Sequence, residues 1–288
     1  MKSRNSFNLL AVTAAVILSL ALASPGDAQQ RRASGQVRAG GGTCTGGVGT
    51  LFDQIEVTYL TAEEETHMIY MREEEKLARD VYLTLADKWQ LPIFGNIAGA
   101  EQRHMDSLKR VFDLYGVTDP IVDDTVGAFT NPALAQLFTD LTEQGNGSLV
   151  DALIVGATIE DLDLKDLEEM LAVAANDHVK LVGNNLSKGS RNHLRAFMRA
   201  LNAQDGTYEP QHLDQETFDA ILATEMERRV VYGADGEAHE ACGGGRGGQG
   251  RRGQGQGNRG GGQGNRGGSG AGGGTGICTG DGPQGGGA

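Results

Sequence analysis

Between Thr61 and Trp89 the apolar residues Met68, Met71, Leu77, Val81, Leu85 and Trp89 keep close to helical spacing, with charged residues filling the positions between. Thr61 followed three residues later by Glu64 makes a capping-box start, and Leu91-Pro92 stops the run. The pattern predicts a helix of roughly 30 residues. A helix of that length has to lay its apolar stripe against other elements.

The rest of the body reads the same way. Ile97, Met105, Leu108 and Phe112 carry a second helix from about 93 to 115, closed by Gly116 as a C-terminal cap. The short connection between the two favours antiparallel neighbours. Asp119-Pro120 to Thr130 is a longer crossover, and Asn131-Pro132 opens a short helix ending near Gly145. Ser148 caps a helix to about Asp161, Asp163 caps a short one to Ala174, and Asn176 starts a last long helix ending near Asn202. A further amphipathic segment runs from Gln215 to Arg229. No alternating β run stands out, so the expected class is all-α, with a bundle as its architecture.

Composition sets the limits of that body. Of 45 glycines, 25 lie between Cys242 and Ala288, and residues 29–55 are mostly Gly, Arg, Ser and Ala in their first part, with no apolar period. Such segments bury too little surface to offset their ordering entropy, so both are expected to be disordered or flexible. Inside the tail, Gly255 to Gly261 recurs unchanged as Gly262 to Gly268. The tail is either a solvated linker or, through Arg246, Arg251, Arg252, Arg259 and Arg266, a segment that contacts the acidic body, a surface or a protein partner. Between Cys44 and Ala241 there are 15 Lys and Arg against 36 Asp and Glu, a net charge near −21. That balance argues against nucleic acid or anionic lipid as partner and makes cations the natural ligands.

The N-terminus has Lys2 and Arg4, then an apolar stretch from Leu9 to Ala23, then Ser24-Pro25-Gly26-Asp27-Ala28, the layout of a secretory signal. Cleavage is expected after Ala28 or, alternatively, after Ala23. This 15-residue stretch falls short of the ~20 residues that span a bilayer, so no transmembrane segment is expected once the signal is removed. The expected location is secreted or periplasmic. There Cys44, Cys242 and Cys278 could pair; the repeated Cys-Thr-Gly at Cys44 and Cys278 suggests a bridge between the two tails. The expected organisation is 1–28 signal peptide, 29–55 flexible segment, 56–203 helical bundle, 204–241 helical extension and 242–288 disordered tail.

Chemistry enters where carboxylates and histidines fall on core-facing stripes. Glu101 and His104 are three apart and share a face with or beside Ile97, Met105 and Leu108. A buried charge needs a partner. In the first helix Glu75 shares a face with Ala78 and Tyr82 and is the carboxylate expected to point inward, while Glu73 and Glu74 are expected to face solvent. A Glu from one helix with Glu-x-x-His from its antiparallel neighbour is half of a carboxylate-bridged dinuclear metal site. Taken alone, Glu-x-x-His also fits a surface Glu beside a core-edge His. His67 and His178 read as ordinary, partly exposed histidines. Tyr82 either donates a hydrogen bond to a ligand or packs in the core, and Arg195 either pairs with an acidic ligand or its neighbour or, like Arg191, is an exposed helix charge. The glycine runs are not phosphate loops, because none follows a strand or ends in Lys-Ser/Thr.

Glu75-Lys-Leu-Ala78-Arg79-Asp-Val-Tyr82 followed by Glu101-Gln-Arg-His104 resembles the first half-site of rubrerythrins and other ferritin-like proteins. The stretches Glu73 to Tyr82, Ile159-Glu-Asp-Leu-Asp163 and Gly189-Ser-Arg-Asn-His-Leu-Arg-Ala-Phe197 are similar to the uncharacterised ferritin-like family called domain of unknown function 2202. The resemblance spans roughly Tyr59 to Leu201. It implies a ferritin-like four-helix bundle with short extra helices and a metal site between the long ones. Carried over, Glu75 would be a terminal ligand, Glu101 a bridging carboxylate and His104 an imidazole of the first half. Glu160, assisted by Asp163 one turn on, would be the third-helix carboxylate, and His193 the imidazole of the fourth.

Ser190 departs from the pattern, standing where a second Glu-x-x-His would place its bridging carboxylate. A hydroxyl is a poor substitute for an anion between two cations. The oxygen-rich set with two imidazoles suits one or two ions of iron or manganese and also accepts zinc. The activities implied are Fe(II) oxidation or peroxide reduction, with O2 or peroxide as small oxidant. The alternative is a metal-binding or surface-attached interaction module without turnover, and whether the protein is an enzyme stays open at this point.

Overall fold

A computed structural model describes residues 47–241. The expected signal peptide, residues 29–46, all three cysteines and the Gly-rich tail lie outside the described residues. The described chain runs α1 (Val48–Phe52), α2 (Ala62–Trp89), α3 (Pro92–Tyr115), α4 (Pro132–Gly145), α5 (Leu149–Val173), α6 (Asp177–Asn202), α7 (Gln215–Ala223), β1 (Val230–Tyr232) and β2 (Ala238–Glu240). The class is all-α. Helices α2, α3, α6 and α5 pack in a ring, each against the next, and α4 lies along α2 and α5.

Local chemistry starts and stops α2 and α3 where the sequence predicts. The Thr61 hydroxyl accepts from the Glu64 amide, and the Glu64 carboxylate accepts from the Thr61 amide in return. Glu64 also accepts the amides of Ala175 and Asn176, which ties the start of α2 to the turn between α5 and α6. Pro92 opens α3, and Gly116 closes it with a left-handed φ of 73°.

Two apolar clusters fill the bundle. One gathers Tyr82, Phe94, Leu153 and Phe197; the other gathers Met68, Met71, Leu108, Phe112 and Met170. Gly156 lets α5 close on α6, because a Cβ there would lie 2.4 Å from the Phe197 ring. Its place in a helix interior costs about 1 kcal/mol relative to Ala, so a packing reason of this kind is required.

Three local expectations change. Helix α5 is continuous, so neither Asp161 nor Asp163 marks a break. Asp161 accepts the amides of Gln211, His212 and Leu213 and the Tyr208 hydroxyl, and Asp163 accepts from Ser190. Occupied by these partners, neither carboxylate competes for its own helix backbone, which is how such residues usually end helices. Helix α7 stops at Ala223, and a small antiparallel hairpin with Val231 opposite His239 follows. Its three-residue strands are too short to display alternation. Finally, α1 falls inside the segment expected to be flexible and buries Phe52, with the Arg110 guanidinium 4.0 Å above its ring.

Candidate metal centre

Helix α2 is buried on every side from Met71 to Tyr82 although seven of those residues carry charge. Desolvation of that many charges requires partners. Most have them in the crossover between α3 and α4 or within α2 itself. Arg72 forks onto Asp119, Glu73 accepts the amides of Thr130 and Asn131, Lys76 pairs with Asp80, and Arg79 bridges Asp80 and Asp124. The two left over are Glu74 and Glu75, each 1% exposed, on the stretch between the two apolar clusters.

Glu75 meets α3. His104 Nδ1 lies 3.1 Å from Glu75 Oε2 and 2.8 Å from Glu101 Oε2. The other oxygen of Glu101, Oε1, lies 2.9 Å from His193 Nδ1 on α6, and that nitrogen is 3.4 Å from Glu160 Oε2 on α5. Two triads result, Glu75-Glu101-His104 and Glu101-Glu160-His193, each able to bring its donor atoms within 4.8 Å of one another. Glu101 belongs to both. The imidazoles of His104 and His193 stack with centroids 5.5 Å apart.

The flanking residues fix this arrangement. Tyr82, buried beside Phe94 and Phe197, donates to Glu160 Oε1 at 2.6 Å. Ser190 donates to Asp163 Oδ2, leaving Asp163 Oδ1 buried and without a hydrogen bond. Glu75 Oε1, Glu101 Oε1 and His193 Nδ1 are also buried without one. Such orphaned atoms are costly in a dry interior, and their convergence fits the donor set for a hard or borderline divalent cation.

Charge points the same way. Burial pushes Glu75 up to about 7, and Glu101 adds to the effect while His104 opposes it. Glu160 and Asp163 are likewise raised, first by burial and then by neighbouring carboxylates. Burial would raise Glu101 too, but His193 and His104 outweigh it and hold that carboxyl well below the usual range. Both imidazoles are raised despite burial, His104 by Glu75 and Glu101 and His193 by Glu101 and Glu160. Among the described residues no Lys or Arg pairs with these carboxylates; only the two histidines do.

Glu75, Glu101, His104, Glu160 and His193 therefore meet, with Asp163 beside them through Ser190. Four side chains lie elsewhere than expected: Glu73, Glu74, Arg195 and His178. Glu73 and Glu74 do not face solvent: the crossover before α4 covers Glu73, and α5 covers Glu74. Glu74 reaches Asp166 of α5, and both its oxygens lack a hydrogen-bond donor. Arg195 does not touch the cluster: it bonds Glu227, the Ile221 carbonyl and Thr224, holding the C-terminal extension on α6. His178 is fully buried between Tyr115 and the Phe52 carbonyl, and His67 is half-buried. The signal that could have found Glu74 is the triple Glu itself, since a helix flanked on both sides by others cannot expose all three.

The family model described as "Uncharacterized protein domain (DUF2202)" matches residues 64–225, which contain every candidate ligand. The chain is 50% identical over 169 residues to the uncharacterized protein MJ0754 of Methanocaldococcus jannaschii, covering 59% of this chain and 91% of that one. The crystal structure of hypothetical protein MJ0754 is similar with a TM-score of 0.59 and 48% identity, over 60% of this chain and 99% of the other.

Proposed function

The chain belongs to the DUF2202 family of uncharacterized domains, and we propose that its helical bundle holds a carboxylate- and histidine-bound metal centre in an exported protein. The observation that carries this reading is the sharing of Glu101, whose two oxygens address separate triads. Glu75, Glu101 and His104 would hold one ion, and Glu101, Glu160 and His193 a second. Asp163, held by Ser190, would supply the negative charge that Ser190 lacks. Iron or manganese bound there would supply one-electron redox chemistry toward O2 or peroxide, in Fe(II) oxidation or peroxide reduction; zinc would leave the centre without redox activity.

The chain's own residues support such a centre in definite ways. Tyr82 orients Glu160 through its hydroxyl, and the phenylalanines around it keep water from that side. Ser190 fixes the rotation of Asp163. Raised carboxyls and imidazoles hold protons that a cation would displace, so binding releases protons and strengthens with pH.

Elemental analysis of the mature protein, followed by assays of Fe(II) oxidation and peroxide consumption, tests the reading. Near-stoichiometric iron or manganese with turnover supports an oxidoreductase. Retained metal without turnover supports the second reading, a binding module, which the Ser190 departure favours. Protein purified and reconstituted without retaining metal contradicts both.

A further inference from the structure

Between α3 and α6, over the imidazoles of His104 and His193, lies a cavity of about 290 Å³. Its lining contains Arg103, Lys188, Asn185 and Ser107 among apolar side chains, and no carboxylate. In a body carrying a net charge near −21, a wall with two cations and two imidazoles and no acid is a local reversal of sign. Lys188 Nζ donates to the Val230 carbonyl and Arg103 Nη1 to the Gly99 carbonyl, so each keeps further N–H groups for a ligand. Burial holds the Lys188 ammonium below the usual lysine range, although Glu227 opposes it. A poorly hydrated cation gains more from an anion than a fully hydrated one.

Gly189 shapes the floor. A Cβ at this position would stand 2.4 Å from His104 Nε2 and 2.5 Å from Cε1. The bare α6 backbone therefore admits the outer edge of the imidazole, whose Nδ1 faces Glu75 and Glu101. At about 30 Å³ of liquid volume per water, the space holds on the order of ten waters, room for a small anion with part of its hydration shell.

We propose that this cavity binds a small inorganic anion between Arg103 and Lys188, directly over His104 and His193. Its use as the approach of an anionic ligand to the metal centre rests on the function proposed above; the anion site itself does not. Arg103 and Lys188 on its wall favour an anion over a metal cation there, which would separate the approach of a small anionic ligand from that of the metal.

Azide, a three-atom anion, is the probe, and the full mature chain is titrated with and without metal. In the metal-free protein, amide NMR shifts are expected to move at Arg103, Lys188 and Gly189 and to saturate. In metal-loaded protein of measured content, Arg103→Gln is expected to weaken azide binding about 3-fold and Lys188→Gln about 10-fold, with metal content unchanged. The affinity is expected to fall as ionic strength rises. An unchanged azide affinity in Arg103→Gln/Lys188→Gln protein overturns the proposal, as does azide perturbing amides elsewhere but not these. Protein that holds no metal, yet shows the metal-free shifts and loses them in the double variant, keeps the anion site and rejects the metal centre.

Discussion

Oε1 of Glu101 and Nδ1 of His193 stand 2.9 Å apart across the α3 and α6 interface, yet neither makes a hydrogen bond. At that distance the direction, not the separation, fails. The same carboxylate turns its other oxygen to His104 at 2.8 Å. Donor atoms that crowd without aligning on one another suit a third body between them, which on the proposed reading is a cation shared through Glu101.

Removing the shared carboxylate is therefore expected to cost more than removing either outer one. Glu101→Gln should weaken metal binding at both positions by more than about 100-fold, while Glu75→Gln and Glu160→Gln each act chiefly on one. Calorimetric titration with Mn(II) reads the number of sites and the affinity of each. Equal effects from all three variants would remove the special role of Glu101.

The metal-free protein is expected to be most stable in mild acid. Glu75 rises from 4.5 to about 7, so its contribution is full below pH 4.5 and is lost as pH climbs through 7. His193 rises from 6.5 to about 10, so its contribution is full below pH 6.5 and is lost toward pH 10. Glu101 is lowered, so its contribution is present above pH 4.5 and is lost in stronger acid. Together they place the maximum near pH 4.5 to 5, with a decline toward pH 9 that bound metal relieves. Thermal melts with and without metal measure this; a metal-free Tm that stays flat from pH 6 to 9 contradicts it.

Gly189→Ala is expected to push His104 out of its seat, because the new methyl would overlap the ring. The metal at the Glu75 and Glu101 half should weaken by at least about tenfold, while the His193 half changes less. Helix propensity alone would favour Ala by about 1 kcal/mol, so a variant that is more stable and binds metal normally would show that the contact relaxes freely.

Glu73→Ala separates support from binding. Glu73 accepts amides that open α4, and losing these hydrogen bonds to a charged acceptor should cost about 1 to 3 kcal/mol. Metal stoichiometry should stay at the wild-type value, although Glu73 is only two residues from Glu75. Chemical denaturation and elemental analysis on the same preparation check both halves.

Helices α2, α3 and α6 were legible because Thr61, Gly116 and Asn176 sit at their ends and the apolar stripes are regular, whereas Asp163 makes the continuous α5 read as two helices. Glu75, Glu101 and His104 could be grouped from spacing on adjacent antiparallel helices. Glu160, Asp163 and His193 needed family resemblance, since nothing local says that α5 and α6 turn those side chains toward α3. What stayed hidden depends on contacts remote in sequence. Glu74 is buried because α5 packs on α2 and brings Asp166 to it, and Arg195 is drawn away by Glu227, 32 residues on. Gly189 reads as a helix weakness until His104 is seen against it.

The most direct measurement is anomalous diffraction at the metal edge from crystals of the mature protein loaded with iron or manganese. The account predicts density among Glu75, Glu101, His104, Glu160 and His193, with Glu101 touching both positions when two ions are present. Loaded crystals whose anomalous signal lies elsewhere, or is absent from this cluster at full occupancy conditions, would contradict it.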